Sequence, residues 1–494
     1  MTVRALRRSV LAGARGGAPL FAIACALVLA AGAACSGGVP PSTPDTSPAP
    51  DRAGEATAPE PARDSIEMLV ERAAERERAA SAPLGMPLDD APPMGSVARG
   101  RLVRVALGVS RGETGLSATG PWRLLEQGGE SVLARITGGD GWRVEQRGDR
   151  LRGVRGPARE PAREPAREAA LVTAWRGGPL VARPDGEGSL LRWAGRRYRG
   201  ELLLTPTDSG ILVVNRLPVE EYLRAVVAGE IGPRTPAEHA AVEAQAVAAR
   251  SYTWVKLGGG ATRGFELVAT VLDQVYGGVE AETAVADAAV RATTGLVLAY
   301  GGRVVNAPYH SSCGGSTAEA PEIWRTGGEP YLRRVSDAIP GTSRSYCEIA
   351  PRFRWTATFS GDDLDRLADR YLAQFGGAPA GGLGGVRSVR STGTTPSGRS
   401  AGLSFETGRG RFDVRANDFR FVLRKGGEIL NSTWVELDVE PSGGALRSLT
   451  IRGRGYGHGV GMCQWGAIGR SRAGHDFRAI LAAYYPGTQL RRAE

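Results

Sequence analysis

From Gly100 to about residue 215 the chain is built from short apolar runs closed by glycines. Leu102-Val103-Arg104-Val105-Ala106-Leu107, Trp122-Arg123-Leu124-Leu125 and Trp142-Arg143-Val144-Glu145 have the length and composition of β-strands, and the glycines between them mark turns. Gly200-Glu201-Leu202-Leu203-Leu204 and Gly210-Ile211-Leu212-Val213-Val214-Asn215 continue the pattern. Such punctuation admits hairpins and excludes long helices here. Three tandem Pro-Ala-Arg-Glu repeats at 157–168 read as a solvated loop inserted among the strands. The 70 glycines in 494 residues are about twice the usual share.

Helical signals follow. Pro218 to Val227 has helical spacing. Thr235-Pro236-Ala237-Glu238 is a capping box with proline at the first helical position, predicting a long helix to about Lys256. A third helix is expected over 281–294, stopped by Gly295, then a hairpin across Gly301-Gly302. Ser360 and Asp363 cap a helix over 361–375. Strands are expected at 384–392, 401–415 and 432–452, and a helical segment within 460–485, beginning near Val460. Strands and helices in separate runs indicate an α+β fold, with β-rich segments flanking and interleaved with a small set of helices, not a doubly wound sheet.

The chain opens on an address. Arg4, Arg7, Arg8 and Arg15 precede the apolar run 18–34, which ends in small residues before Cys35. This is a secretory signal pattern, too short for a comfortable membrane span. Residues 1–35 therefore read as a signal peptide with Cys35 as a lipobox cysteine, the alternative being an ordinary cleaved signal. Residues 36–97, rich in Pro, Ala, Ser and Thr, read as a disordered tether. A β-rich region over 98–204 and a catalytic domain over 205–490 complete the expected organisation. A single long apolar run excludes a multi-pass membrane protein, and five cysteines in this length exclude a disulfide-dense scaffold. Loss of residues 1–34 removes four arginines and no acid, so the formal charge of +10 becomes +6.

Candidate chemistry gathers at a few positions. Glu230 follows Val226-Val227-Ala228-Gly229, just past the end of an apolar helix, where the helix dipole and apolar neighbours disfavour its charge. A carboxyl with a raised pKa suits general acid catalysis. His310 lies in Tyr309-His310-Ser311-Ser312-Cys313, without the Gly-x-Ser-x-Gly elbow of a serine hydrolase. Cys313 and Cys347 admit three readings: a disulfide, two ligands of a metal site that includes His310, or unpaired thiols. His458 sits among five glycines in 453–461, a run that allows positive φ and close approach of a ligand to backbone. His239 and His475 read as surface residues.

Four ordered segments carry a resemblance. They are Asn215 to Glu230, Glu243-Ala244-Gln245-Ala246-Val247-Ala248-Ala249-Arg250-Ser251-Tyr252, Tyr309 to Gly315, and Gly457-His458-Gly459-Val460-Gly461-Met462. Together they resemble the stage II sporulation protein D/LytB family. Members similar to sporulation protein D are lytic transglycosylases, which cleave the MurNAc–GlcNAc bond of peptidoglycan, prefer peptide-free glycan and leave a 1,6-anhydro end. The resemblance assigns the catalytic acid/base to Glu230 and an essential arginine to Arg250, which would hold a sugar or lactyl group or orient Glu230. Substrate contacts are expected from Arg250, Gln245, His310, Ser312, His458 and Gln464. The implied mechanism requires no cofactor. Zinc, bound by some members near the His-Ser motif, maps onto His310 and Cys313. Two departures stand out: Ile231-Gly232 replaces the usual Met-Pro after the catalytic Glu, and Cys463 replaces the usual Ser after Gly-Val-Gly-Met.

The expected partners are glycan strands, a cell-wall amidase, and the membrane through a lipid anchor, in an extracytoplasmic setting. Nucleic acid is excluded, because the chain has no long basic run with interleaved aromatics. The alternative reading from the same resemblance is a LytB-like, non-catalytic amidase enhancer or wall-binding module. A third is an anchored envelope scaffold.

Overall fold

The computed structural model describes residues 101–128, 131–156, 171–186, 188–257, 263–379 and 381–493. The expected signal peptide, Cys35, the tether and the Pro-Ala-Arg-Glu repeats lie outside the described residues. Among the described residues no helix is long and apolar enough to cross a membrane.

The glycine-punctuated strands form two sheets. One has seven strands in the order Leu267–Val268, Leu102–Ser110, Gly210–Pro218, Glu201–Thr207, Leu180–Pro184, Trp122–Glu126 and Val132–Ile136. The other has six: Arg196–Tyr198, Leu191–Trp193, Glu113–Ala118, Trp142–Arg147, Arg150–Arg155 and Arg176–Gly177. Ile211 and Val213 face a core shared with Leu116, Trp142 and Val144 of the six-stranded sheet. Leu212 and Val214 face the opposite way, into a cluster with Val181, Leu203 and Phe265. A strand buried on both faces reads as a continuous apolar run, as Ile211 to Val214 does.

The boundary expected between 204 and 205 falls inside this sheet. Glu201–Thr207 pairs with Gly210–Pro218, which pairs in turn with Leu102–Ser110. The Asp208-Ser209 turn between the first two strands is too short to part domains.

Helices of eight or more residues are numbered α1 (Val219–Ile231), α2 (His239–Lys256), α3 (Ala284–Ala292), α4 (Gly361–Phe375), α5 (Gln464–Arg472) and α6 (Phe477–Tyr484). The strand ending at Pro218 runs straight into α1, which carries Glu220 and Glu221 in its first turn and ends at Gly232 with φ +73°. Positive φ there favours glycine. Before α2, the backbone N–H of Thr235 donates to Glu238 Oε2 at 3.1 Å. The alanines of α2 at 240, 241, 244, 246, 248 and 249 are all buried, so α2 is the central rod against which α1, α3, α5 and α6 pack. Small side chains let helices approach from several sides.

Three expectations shift. The third helix starts at Ala284, because Thr283 Oγ1 caps it by accepting from Ala286 N. α5 starts at Gln464, not near Val460. Strand Gln489–Arg492, unforeseen, pairs with Leu296–Tyr300.

A second core lies within the region expected to be one catalytic domain. Phe359, Leu364, Leu372, Phe405, Phe419, Leu449 and Ile451 are buried together under α4 and two three-stranded sheets. Leu449 is fully buried there. Leu449→Ala is expected to cost about 2–5 kcal/mol, read as a lower denaturant midpoint for the fluorescence change of Trp355 and Trp434, which lie on two of these strands.

Candidate active site

Glu230 lies not past the helix but in the last turn of α1, one residue before its end, because the helix runs on to Ile231. Its side chain is partly exposed. The backbone N–H of Val275 donates to Oε1 at 2.6 Å, and the Gln464 side chain also hydrogen-bonds the carboxyl. Burial outweighs both of these charge-favouring contacts and pushes the carboxyl up to about 7. The raised value expected from local sequence is present, with desolvation as its main cause. The groups acting on Glu230 are an amide and a carboxamide, not a second carboxylate.

Gln464 is the first residue of α5, and its Nε2 also donates to Gln245 Oε1 of α2 at 3.3 Å. Gln245 is buried, and its own Nε2 has no partner. Two expected substrate residues therefore converge on Glu230. They form a relay of amides from α2 to the carboxyl.

The segment Asp273-Gln274-Val275-Tyr276 backs the site and was not singled out from sequence. Gln274 Oε1 accepts from Tyr222 Oη (3.1 Å) and Thr253 Oγ1 (2.8 Å), and Gln274 Nε2 donates to Tyr309 Oη (2.9 Å). Tyr276 Oη donates to Asn215 Oδ1, and Tyr252 Oη to Asp273 Oδ1. Burial holds the Tyr222, Tyr252 and Tyr309 hydroxyls well above their usual range, so these groups stay neutral. Three polar or aromatic side chains (Asp273, Gln274 and Tyr276) within four residues between two helices were the available signal. Gly229 lets this segment close on α1, since a Cβ there would lie 3.1 Å from Val275 O. Arg234 was also missed. Its guanidinium lies over the ring of Trp465, 5.0 Å from the centroid, just beyond Gln464.

Arg250 does not reach this carboxyl. Its guanidinium is buried and pairs with both carboxylate oxygens of Glu220 at 2.8 Å. It also donates to the carbonyls of Leu296 (3.1 Å) and Val290 (3.4 Å). The expected sugar contact is corrected: every direction of the fork is used internally. Arg250 ties the first turn of α1, the helix that carries Glu230, to α2.

The third and fourth motifs form one ribbon. Tyr309–His310 pairs in parallel with Met462–Cys463. His458 Nε2 bonds Tyr309 O at 2.9 Å, and its Nδ1 accepts from Val460 N at 3.1 Å. Both ring nitrogens are therefore used on backbone, and burial pushes the ring down to about 3, keeping it neutral. His310 Nδ1 bonds Val460 O at 3.1 Å, while its Nε2 and Ser312 Oγ are enclosed without partners. As placed, none of these three side chains offers a polar atom to substrate, which corrects the expected contacts at His310, Ser312 and His458. The glycines serve chain packing in place of ligand approach. A Cβ on Gly461 would lie 2.0 Å from Pro308 O, and one on Gly457 2.8 Å from the His310 Cβ.

Of the three readings of Cys313 and Cys347, the disulfide is not formed, and Cys463 joins the pair. Cys313, Cys347 and Cys463 are all buried and free. With Asp337 they place four ligand atoms within 4.8 Å of one another. His310 is not among them, so the expected metal ligand at His310 is corrected. Of the two histidines read as surface, His239 is exposed and His475 is partly covered, 3.4 Å from Tyr346 Oη.

Over 299 residues the chain is 31% identical to an uncharacterized protein of Brachyspira hyodysenteriae, covering 60% of this chain and 73% of that one. The stage II sporulation protein family model matches residues 207–300, which hold Glu230, Gln245 and Arg250. The chain belongs to the stage II sporulation protein D/LytB family. Stage II sporulation protein D of Bacillus subtilis is 29% identical, with 57% of this chain and 76% of that protein aligned. The amidase enhancer of the same organism is also 29% identical, but the alignment covers 51% of this chain and only 38% of the enhancer. A domain of unknown function (DUF8618) matches residues 343–461, the stretch that holds the second core.

For this SpoIID/LytB chain the geometry makes two stability predictions. Arg250→Ala leaves Glu220 and the Leu296 and Val290 carbonyls without their donor and is expected to cost about 2–4 kcal/mol in denaturant unfolding. Unchanged stability with lost glycan binding would restore the substrate role. For Glu230, the folded value of about 7 lies above the ordinary 4.5, so folding favours the protonated form. Its contribution is full below pH 4.5 and is lost as pH rises through about 7. Glu230→Gln removes that slope. Relative to wild type it should gain about 1–3 kcal/mol between pH 5 and pH 8, allowing for partial solvent screening; thermal melts at both pH values check this.

Proposed function

We propose that this protein is a peptidoglycan lytic transglycosylase acting in cell-wall remodelling, with Glu230 as its single acid/base group. The observation that carries this reading is a partly exposed carboxyl pushed up to about 7 and held by Val275 N–H and Gln464. Near neutral pH such a group can both give and take a proton. Protonated Glu230 gives its proton to the oxygen linking MurNAc C1 to the next GlcNAc, and the bond from C1 to that oxygen breaks. The carboxylate then takes the proton from the MurNAc C6 hydroxyl as O6 bonds to C1, closing the 1,6-anhydro ring. Water does not enter the products, and the second carboxylate of a hydrolase is unnecessary.

Gln464 and Gln245 hold the carboxyl in place. The Arg234 guanidinium over Trp465 supplies the positive charge that a free lactyl carboxylate seeks, which suits glycan stripped of stem peptides. A secreted chain anchored at Cys35, with the tether behind it, would reach the wall from a membrane surface, and the +6 body favours its anionic polymers. A second reading, a non-catalytic amidase enhancer that binds wall and an amidase, is favoured by the likeness to the Bacillus subtilis enhancer.

The test is a digest of stem-peptide-free glycan by wild type and Glu230→Gln, analysed by mass spectrometry. The expected result is anhydro ends from wild type and a rate lower by about 10²–10⁴-fold in the variant. Wild-type activity should fall as pH rises through about 7, where Glu230 loses its proton. Full activity of Glu230→Gln overturns the assignment. No anhydro product from wild type, together with stimulation of a wall amidase, selects the enhancer.

A further inference from the structure

We propose that Cys313, Cys347, Cys463 and Asp337 bind one zinc ion in a closed tetrahedral site that fastens the ribbon carrying Gln464. Three sulfurs and one carboxylate oxygen are a donor set zinc accepts, and all four ligand atoms lie within 4.8 Å of one another in a buried cluster. Cys313 and Cys347 Sγ lie 3.4 Å apart. That is close to the ~3.7 Å tetrahedral edge implied by zinc–sulfur bonds of about 2.3 Å, and a disulfide requires about 2.05 Å.

The surroundings fit a metal. Asp337 Oδ1 accepts from Tyr484 Oη at 2.6 Å and from Arg470 at 3.4 Å, which leaves Oδ2 turned to the Cys313 sulfur at 3.6 Å. A carboxylate held by one oxygen and offering the other is the outer-shell pattern of a ligand. Cys463 Sγ accepts from the backbone N–H groups of Cys313 (3.1 Å) and Gly466 (3.3 Å), contacts that would favour a metal-bound thiolate. Three thiolates, one carboxylate and a divalent ion leave two negative charges to offset. Arg470 contacts Asp337. Arg399, buried, donates through Nη2 to Cys313 O at 2.8 Å, and its Nη1 has no hydrogen-bond partner. Arg399 also donates to Ser316 O at 2.9 Å and lies over the Trp434 ring, and the loaded cluster would supply a counter-charge for it.

All four groups are buried, so the coordination sphere is complete without water and the metal's role is structural. Loading releases thiol protons and involves no electron transfer. Cys463 immediately precedes Gln464, and Cys313 lies three residues past His310. The ion thus locks the two strands that bring Gln464 to Glu230.

The experiment measures metal in the purified full-length protein by mass spectrometry, independent of glycan cleavage. About one zinc per chain is expected, retained in Cys35→Ser and lost in Cys463→Ala and in Cys347→Ser. Stripping with a strong chelator should lower the melting temperature by about 5–10 °C, and zinc should restore it. Cobalt added to stripped wild type should give thiolate charge-transfer and intense tetrahedral d–d absorption, a readout that needs no variant to fold. Sub-stoichiometric zinc with no cobalt spectrum overturns the site. So does a Cys313–Cys347 disulfide found by peptide mapping of the unreduced protein.

Discussion

The candidate site depends on the parallel pairing of Tyr309–His310 with Met462–Cys463, segments about 150 residues apart in the chain. Without that ribbon α5 would have no fixed start, and Gln464 would have no fixed relation to Glu230. Two-residue parallel pairings are weak by themselves, and long loops must close before they form. Here His458 bonds across the pairing and Val460 bonds both histidine rings. The glycines at 455, 457, 459 and 461, all at positive φ, bring the backbones close enough for this. Three of the four ring nitrogens of these histidines hold the scaffold.

The second support is α2. It carries Gln245 to the amide relay, Thr253 to Gln274, Tyr252 to Asp273 and Arg250 to Glu220. The four contacts land on three neighbouring segments, so a single rod sets the relative positions of α1, the 273–276 segment and α5. The alanines between these polar residues make the convergence sterically feasible, because a larger side chain at those buried positions would push a neighbour away.

How much of this the sequence discloses follows from how local each determinant is. Glu230 stands at the end of an apolar helix, so its desolvation is encoded in its own neighbours. The capping box at Thr235 and the Gly301-Gly302 hairpin are equally local. Arg250 reads as a functional arginine because its partner Glu220 lies thirty residues earlier, and only the packing of α1 on α2 brings them together. The Gly-rich run around His458 reads as a ligand loop because the chain that fills it, at 308–312, is remote in sequence. Asp273 to Tyr276 act largely through one backbone N–H and a hub of side-chain amide contacts, which no spacing rule detects. The 204/205 boundary fails because pairing register, not composition, decides where a sheet ends.

One consequence ties the ribbon to the carboxyl. The value near 7 at Glu230 is a balance between burial, which raises it, and the Val275 and Gln464 contacts, which lower it. Burial is set by α1 and the 273–276 segment, whereas Gln464 is set by the ribbon. Loosening the ribbon would withdraw one charge-favouring contact and raise the carboxyl further, making it a weaker acid and its carboxylate a stronger base. In the proposed single-carboxyl mechanism the ribbon would therefore set the balance between the acid and the base half. That gives a physical reason for a rigid, multiply bonded support at a place that contributes no reacting group of its own.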